Sequence, residues 1–274
     1  MNEQIFGVEI ISSKTNSTIV KIAKLSSKKY RNEYGMFMCD GVKLLKEAAD
    51  FGADIKYIII RNNFKLDFDL ETTIKNCQKN GTKILVVNEA VFSKISEENA
   101  PQGIISVCSY LDNISNSTID VNFEKHEKII ALESVRDPGN IGTILRNAAA
   151  FGIDRIIMSN DCADVYSQKV IRAAMGAVLK LKIDISSNFI DTIKTLQKAG
   201  KNVLGAALDP DSLILGERKI SNDDVIIIGN EGHGLSNEVL SAVNDTIFIP
   251  IEKNTESLNA AMASAIFMWE ISKK

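Results

Sequence analysis

Histidine is nearly absent from this chain of 274 residues: His126 and His233 are the only two, so a histidine-built metal centre is not expected. Cysteine is almost as scarce. The four thiols, Cys39, Cys77, Cys108 and Cys162, lie far apart and form no C-x-x-C pair, which argues against a zinc site and a disulfide framework. They are expected to be reduced and mostly buried, as small apolar residues. No apolar segment reaches the ~18 residues a membrane span needs, and residues 1–7 lack the basic stretch and apolar run of a signal peptide. The expected location is cytoplasmic, with no membrane partner. Nor is there a fixed-period repeat or a low-complexity tract. The net charge of −3 argues against wholesale coating of nucleic acid, although a net value hides local distribution.

What is present is the composition of a soluble globular protein, 45% hydrophobic and 24% charged, with enough length for two domains. The one strong local charge lies between Ser12 and Asn32. Lys14, Lys21, Lys24, Lys28, Lys29 and Arg31 occur there with no acid, and they form the chain's one clear anion-attracting surface.

Helix and strand signals alternate along the whole chain. Helices are expected at 16–25, 42–51, 70–79 and 89–96, and strands at 36–39, 57–60, 83–87 and 104–109, which make a small α/β domain over 1–111. Residues 112–127 are rich in turn formers and read as a linker. Over 128–274 strands are expected at 128–133, 155–158, 180–185, 202–207 and 225–229, and helices at 141–151, 167–177 and 189–199. That alternation implies a mostly parallel sheet with helices on both faces.

Three segments of the second domain carry candidate chemistry. Asp137-Pro-Gly-Asn-Ile-Gly142 opens the helix bearing Arg146, and Asp161 follows at about the distance of the ribose-binding acid of a dinucleotide fold. The glycines read G-x-x-G rather than G-x-G-x-x-G, however, and Pro138 stiffens the turn. Asn140 can cap the helix, and a guanidinium one turn inside it fits either an anionic partner such as a phosphate or a solvated charge. Next, the apolar run ending at Gly229 gives way to Asn230, Glu231, Gly232, His233 and Gly234, at a strand's carboxyl end where open α/β sheets bind ligands. His233, between glycines and without an orienting partner, is not expected to be catalytic. Last, Pro250 ends a strand, and Ser257 or Asn259 can cap a helix running to Trp269.

In this order the three segments resemble the signature motifs of the SpoU (TrmH-like) branch of the SPOUT RNA methyltransferases. The motifs are Asn140-x-Gly142-x-x-x-Arg146, then Gly229-Asn-Glu-Gly-x-Gly-Leu235, then Ile249-Pro-Ile251 with Ser257-Leu-Asn259. Lys169 to Arg172 and Met175 to Ala177 match a further family segment. Residues 28–41 resemble the small substrate-binding domain of one subgroup. The resemblance implies a deep trefoil knot, a homodimer and S-adenosylmethionine as cofactor. By position, Ala206, Ala207, Gly229, Asn230, Gly234, Ile249, Ile251, Leu258 and Asn259 would bind that cofactor. It places Arg146, Asn140, Glu231, Ser257 and Asn259 in the catalytic machinery. Lys253, where the family has glycine, and Ala260, where it has valine, depart from the pattern.

The implied reaction is attack of an RNA ribose 2′-OH on the cofactor methyl group. Arg146 would bind the neighbouring phosphate and stabilise charge on the ribose oxygen, since a guanidinium is a poor base. The proton would leave to that phosphate, to Glu231 or to water. Ribosomal RNA, rather than transfer RNA, is the expected substrate. Two other readings stand beside this one: a ribosome-assembly factor of the same fold without methyl transfer, and a Rossmann-type oxidoreductase.

Overall fold

The computed structural model of the protein describes residues 2–98, 100–115, 123, 126–209, 211–252 and 257–273. The departure at Lys253 therefore lies outside the described residues. The chain forms two compact units, Met1–Leu111 with Tyr166–Leu179, and Asp112–Val165 with Lys180–Lys274. Residues Tyr166–Leu179, which the sequence reading puts in the second region, cluster with the first. Their anchor is aromatic: the Tyr166 ring stacks on Tyr110 at 4.1 Å and lies 4.8 Å from Phe37.

The first unit holds five strands, β1 (Ile10–Ile11), β2 (Met36–Asp40), β3 (Ile55–Arg61), β4 (Lys83–Val87) and β5 (Ile104–Ser109), in the order β1-β4-β3-β5-β2. β1, β4 and β3 are parallel, while β5 runs antiparallel to β3 and β2. Helices start where the sequence offers a capping side chain. Asn16 Oδ1 accepts from the Thr18 and Ile19 amides, Asp67 Oδ1 from Leu70 and Asn88 Oδ1 from Val91. Ile19, Ile22 and Leu25 of the basic segment are buried with Met38, Ile59, Val91 and Phe92, which fixes the segment's lysines on its outer side.

The second unit is built on eight parallel strands. They are β6 (Ile114–Ser115), β7 (Ile129–Leu132), β8 (Arg155–Ser159), β9 (Lys182–Ser186), β10 (Asn202–Ala206), β11 (Leu213–Ile214), β12 (Asp224–Ile228) and β13 (Asp245–Phe248). Their order is β11-β13-β10-β12-β7-β8-β9-β6. The central strands β7 and β12 are apolar and buried at nearly every position, as a sheet covered on both faces requires. One face packs Ile129, Ala131, Val225 and Ile227 against Ile193, Leu196 and Val239. Helix Ala260–Ser272 packs against β12 and against helix Pro138–Phe151.

Two of the helix boundaries that differ by three residues from the sequence expectation do so for a local reason. The helix bearing Arg146 starts at Pro138, capped by Asp137, whose Oδ1 accepts the Asn140 amide at 2.8 Å. Asn140 is thus inside the first turn rather than at the cap, and Arg146 sits in the middle of the helix rather than one turn from its start. Pro138 decides this, because its fixed φ suits the first helical position. The helix expected over 167–177 is shorter, Gln168–Ala174, because Met175 turns left-handed at φ 48° and Gly176 follows at φ 80°. All four cysteines are free and buried. No helix among the described residues is long and apolar enough to cross a membrane.

Candidate active site

The carboxyl ends of β10, β12 and β13 open into a cavity of about 810 Å³. Gly229 leaves β12 into a loop closed by a reciprocal pair of main-chain hydrogen bonds between Asn230 and Gly234, each 2.9 Å. The Asn230 side chain stitches that loop from both ends. Its Oδ1 accepts the Gly232 and His233 amides at 2.9 and 3.2 Å, and its Nδ2 donates to the Ser134 carbonyl at 2.7 Å. Gly229 is needed for space: a Cβ there would stand 2.4 Å from the Gly234 carbonyl carbon and 2.6 Å from the Leu235 nitrogen.

Of the residues expected to bind a cofactor, Ala206, Ala207, Gly229, Asn230, Gly234, Ile249, Ile251 and Leu258 all line this cavity, with Glu231 and Ser257. Asn259 is not in the lining; it caps helix Ala260–Ser272 through its Oδ1. Its Nδ2 instead donates to Asn140 Oδ1 at 3.0 Å, and Asn140 Nδ2 donates to Glu231 Oε1 at 2.9 Å. One side chain from each of the three motifs thus joins a single hydrogen-bonded chain. Glu231 also accepts the Arg136 and Asp137 amides, both at 3.3 Å. Partial burial pushes its carboxyl up, but the bonds from Asn140 and the main chain outweigh that and hold it below the ordinary carboxylate value.

Arg146 stands apart. It is exposed, makes no hydrogen bond or ion pair with a described residue, and does not line the cavity. His233 is exposed too.

In the first unit Lys14, Lys21, Lys24, Lys28 and Lys29 are exposed. Lys21 sits over the Tyr34 ring at 4.8 Å, and Lys24 and Lys29 over the Tyr30 ring at 4.9 and 5.6 Å. Arg31 corrects the sequence reading. It is 4% exposed and its NH1 donates to the Leu25 and Ser26 carbonyls, each at 2.8 Å, closing the turn that precedes its own helix. Arg31→Ala is accordingly expected to lower stability by about 1–3 kcal/mol in chemical denaturation, the cost of leaving buried carbonyls unpaired. An unchanged midpoint would return Arg31 to the surface set.

The cavity's chemistry identifies the kind of ligand that fits. Leu208, Ile251 and Leu258, exposed by 76, 39 and 37%, offer apolar surface around it. Among the described lining residues Glu231 and Glu252 are the charged ones, and no basic side chain is present. A sulfonium-bearing nucleoside such as S-adenosylmethionine suits that lining, whereas a dinucleotide's pyrophosphate would meet carboxylates and no cation. Among the described residues no three metal-ligating side chains converge.

The chain is similar to known proteins over most of its length. The model of the SpoU rRNA methylase family matches residues 127–269, and that of the MRM3-like substrate binding domain matches 16–106. The 23S rRNA (guanosine(2553)-2′-O)-methyltransferase RlmP of Bacillus subtilis is 28% identical over 95% of this chain and 98% of its own length. An rRNA methyltransferase from Sinorhizobium meliloti has a crystal structure that superposes with a TM-score of 0.84 at 31% identity, covering 96% of each chain. Its AdoMet-bound form superposes at 0.81, with the same identity and coverage. Fold and site define an RNA methyltransferase of the SPOUT type that uses S-adenosylmethionine. Within that class the chain belongs to the SpoU rRNA methylase family.

Proposed function

We propose that this protein methylates a ribose 2′-OH of ribosomal RNA in the cytoplasm, working as a homodimer with its C-terminal segment threaded as a trefoil knot. The observation that carries the reading is the Asn259–Asn140–Glu231 chain beside a cavity whose described lining holds carboxylates and no basic side chain. The bacterial relative named for 23S rRNA supports the substrate class. Met262 and Trp269, exposed by 59 and 56% on helix Ala260–Ser272, supply the apolar surface a second copy would cover.

Bound S-adenosylmethionine supplies an electrophilic methyl group. Gly229, Ile249 and Leu258 would hold it largely through main-chain groups, with Ala206, Ala207, Asn230, Gly234 and Ile251 around it. The ribose oxygen is a weak nucleophile, and the protein's task is to orient it and stabilise its developing charge. Arg146 takes that role, binding the adjacent phosphate, and its exposure and lack of a partner among the described residues fit an arginine contributed by the second copy. Ser257 orients the substrate. Glu231 is ionised and occupied by Asn140 and two amides, which makes it a holder of the loop rather than a base. The 2′-OH proton then leaves to the RNA phosphate or to solvent. Lys14, Lys21, Lys24, Lys28 and Lys29 provide phosphate contacts in the first unit.

Two measurements test this. Calorimetry is expected to give micromolar binding of S-adenosylmethionine and none of a nicotinamide dinucleotide. Incubation with ribosomal RNA is expected to create one alkali-resistant phosphodiester linkage, the mark of a 2′-O-methyl group. RNA binding with no such linkage would identify an assembly factor instead.

A further inference from the structure

Asp161 has no part in the mechanism above, yet it is tightly engaged. Ser159 Oγ donates to its Oδ1 at 2.6 Å, and Ser134 Oγ and Arg136 NH2 donate to its Oδ2 at 2.5 and 3.2 Å. Ser134 itself is held left-handed at φ 53°, a strained conformation for a non-glycine residue. Its remaining polar groups are also taken: the amide donates to Ser159 Oγ at 2.8 Å and the carbonyl accepts Asn230 Nδ2 at 2.7 Å. The turn leaving β7 is therefore fixed at each of these atoms.

Two residues on, this turn presents Arg136. Its amide donates to Glu231, while its side chain is 70% exposed and donates, among the described residues, one hydrogen bond, to Asp161. A guanidinium has about five N–H donors in a planar fork, so most of Arg136's donors face outward. An exposed ion pair adds little net stability, so stability does not account for the arrangement. What it accomplishes is placement: a cationic fork stands on the stretch of backbone whose amides donate to Glu231, at the end of the hydrogen-bonded chain.

We propose that Arg136 is a second phosphate-anchoring arginine of the RNA site, with Asp161 and the left-handed turn at Ser134 as the positioning elements that aim it. This rests on reading the site as one for RNA methyl transfer. Arg136 contacts a phosphodiester of the bound strand, whereas Asp161 acts through Arg136.

The test combines steady-state kinetics with filter binding of ribosomal RNA across a salt series. Arg136→Ala is expected to raise the RNA KM and Kd about tenfold, with kcat within about threefold of wild type, and to reduce the log Kd against log salt slope by roughly 0.7–0.9, one phosphate contact. S-adenosylmethionine affinity should not change. Asp161→Asn keeps one acceptor oxygen of the two and loses the charge, and should raise KM several-fold, with no further rise when it is added to Arg136→Ala in the double variant. An unchanged salt slope in Arg136→Ala, or an equal loss of S-adenosylmethionine affinity, would overturn the proposal. A wild-type chain that binds RNA without methylating it would count against the function above, and the slopes would still decide Arg136.

Discussion

Replacing Gly229 with alanine is expected to abolish measurable S-adenosylmethionine binding and to lower the second unit's melting temperature. A Cβ at Gly229 meets the Gly234 carbonyl carbon and oxygen at 2.4 and 2.5 Å and the Leu235 nitrogen at 2.6 Å. These are main-chain atoms, so no side-chain rotation relieves the overlap. The loop must open instead, and opening it breaks the reciprocal Asn230–Gly234 bonds and pulls on Leu235, which is 7% exposed in the core. Overpacking of this kind costs about 1–3 kcal/mol, or roughly 2–12 °C at this domain size. The same movement shifts Asn230 and Glu231, so the cavity floor and the hydrogen-bonded chain are lost together. Calorimetry and a thermal melt check both effects; S-adenosylmethionine binding within threefold of wild type would show that the tight turn is not the cofactor's floor.

The sheet was the most legible part of the sequence because β7, β8, β10 and β12 are short continuous apolar runs between turn formers. Two-residue strands such as β1, β6 and β11 were not, since so short a segment carries no periodicity. The start of the helix bearing Arg146 was misplaced for a chemical reason: Asp137 and Asn140 are both good caps, and only the position of Pro138 between them separates the two. Arg31 was misjudged because charge in a sequence says nothing of burial, and its helix turns it inward onto two carbonyls.

The site divides in the same way. The glycines at 229 and 234 announced a tight turn, but the bond from Asn140 to Glu231 spans 91 residues and no local pattern reveals it. The family resemblance puts both residues in one site but does not give the bond between them. Arg136, Ser134 and Ser159 had no local signal at all, because a left-handed serine is defined by its surroundings: Asp161, Ser159 and Asn230 together hold it there. Asp161 was noticed for a ribose-binding role, and in the structure it faces two serines and an arginine instead.

Loss of the Arg146 guanidinium is expected to have the largest catalytic effect. Arg146→Ala should lower kcat about 10²–10³-fold, the usual cost of removing a donor that stabilises charge in the transition state. Arg146→Lys should recover little, because an ammonium cannot reproduce the two-pronged contact to a phosphate. S-adenosylmethionine affinity should be unchanged in both variants, since Arg146 does not line the cavity. Its exposure and lack of a described partner also raise the question of which site it serves, and mixing variants answers it. Arg146→Ala keeps an intact cavity, whereas Asn140→Ala keeps the arginine but cuts the chain between Glu231 and Asn259. If Arg146 acts across a dimer, an equal mixture after subunit exchange contains one complete site in half of the dimers, about a quarter of wild-type activity. If it acts within its own chain, the mixture stays at the level of the separate variants. Near-normal turnover by Arg146→Lys would instead remove the bidentate phosphate contact from the mechanism.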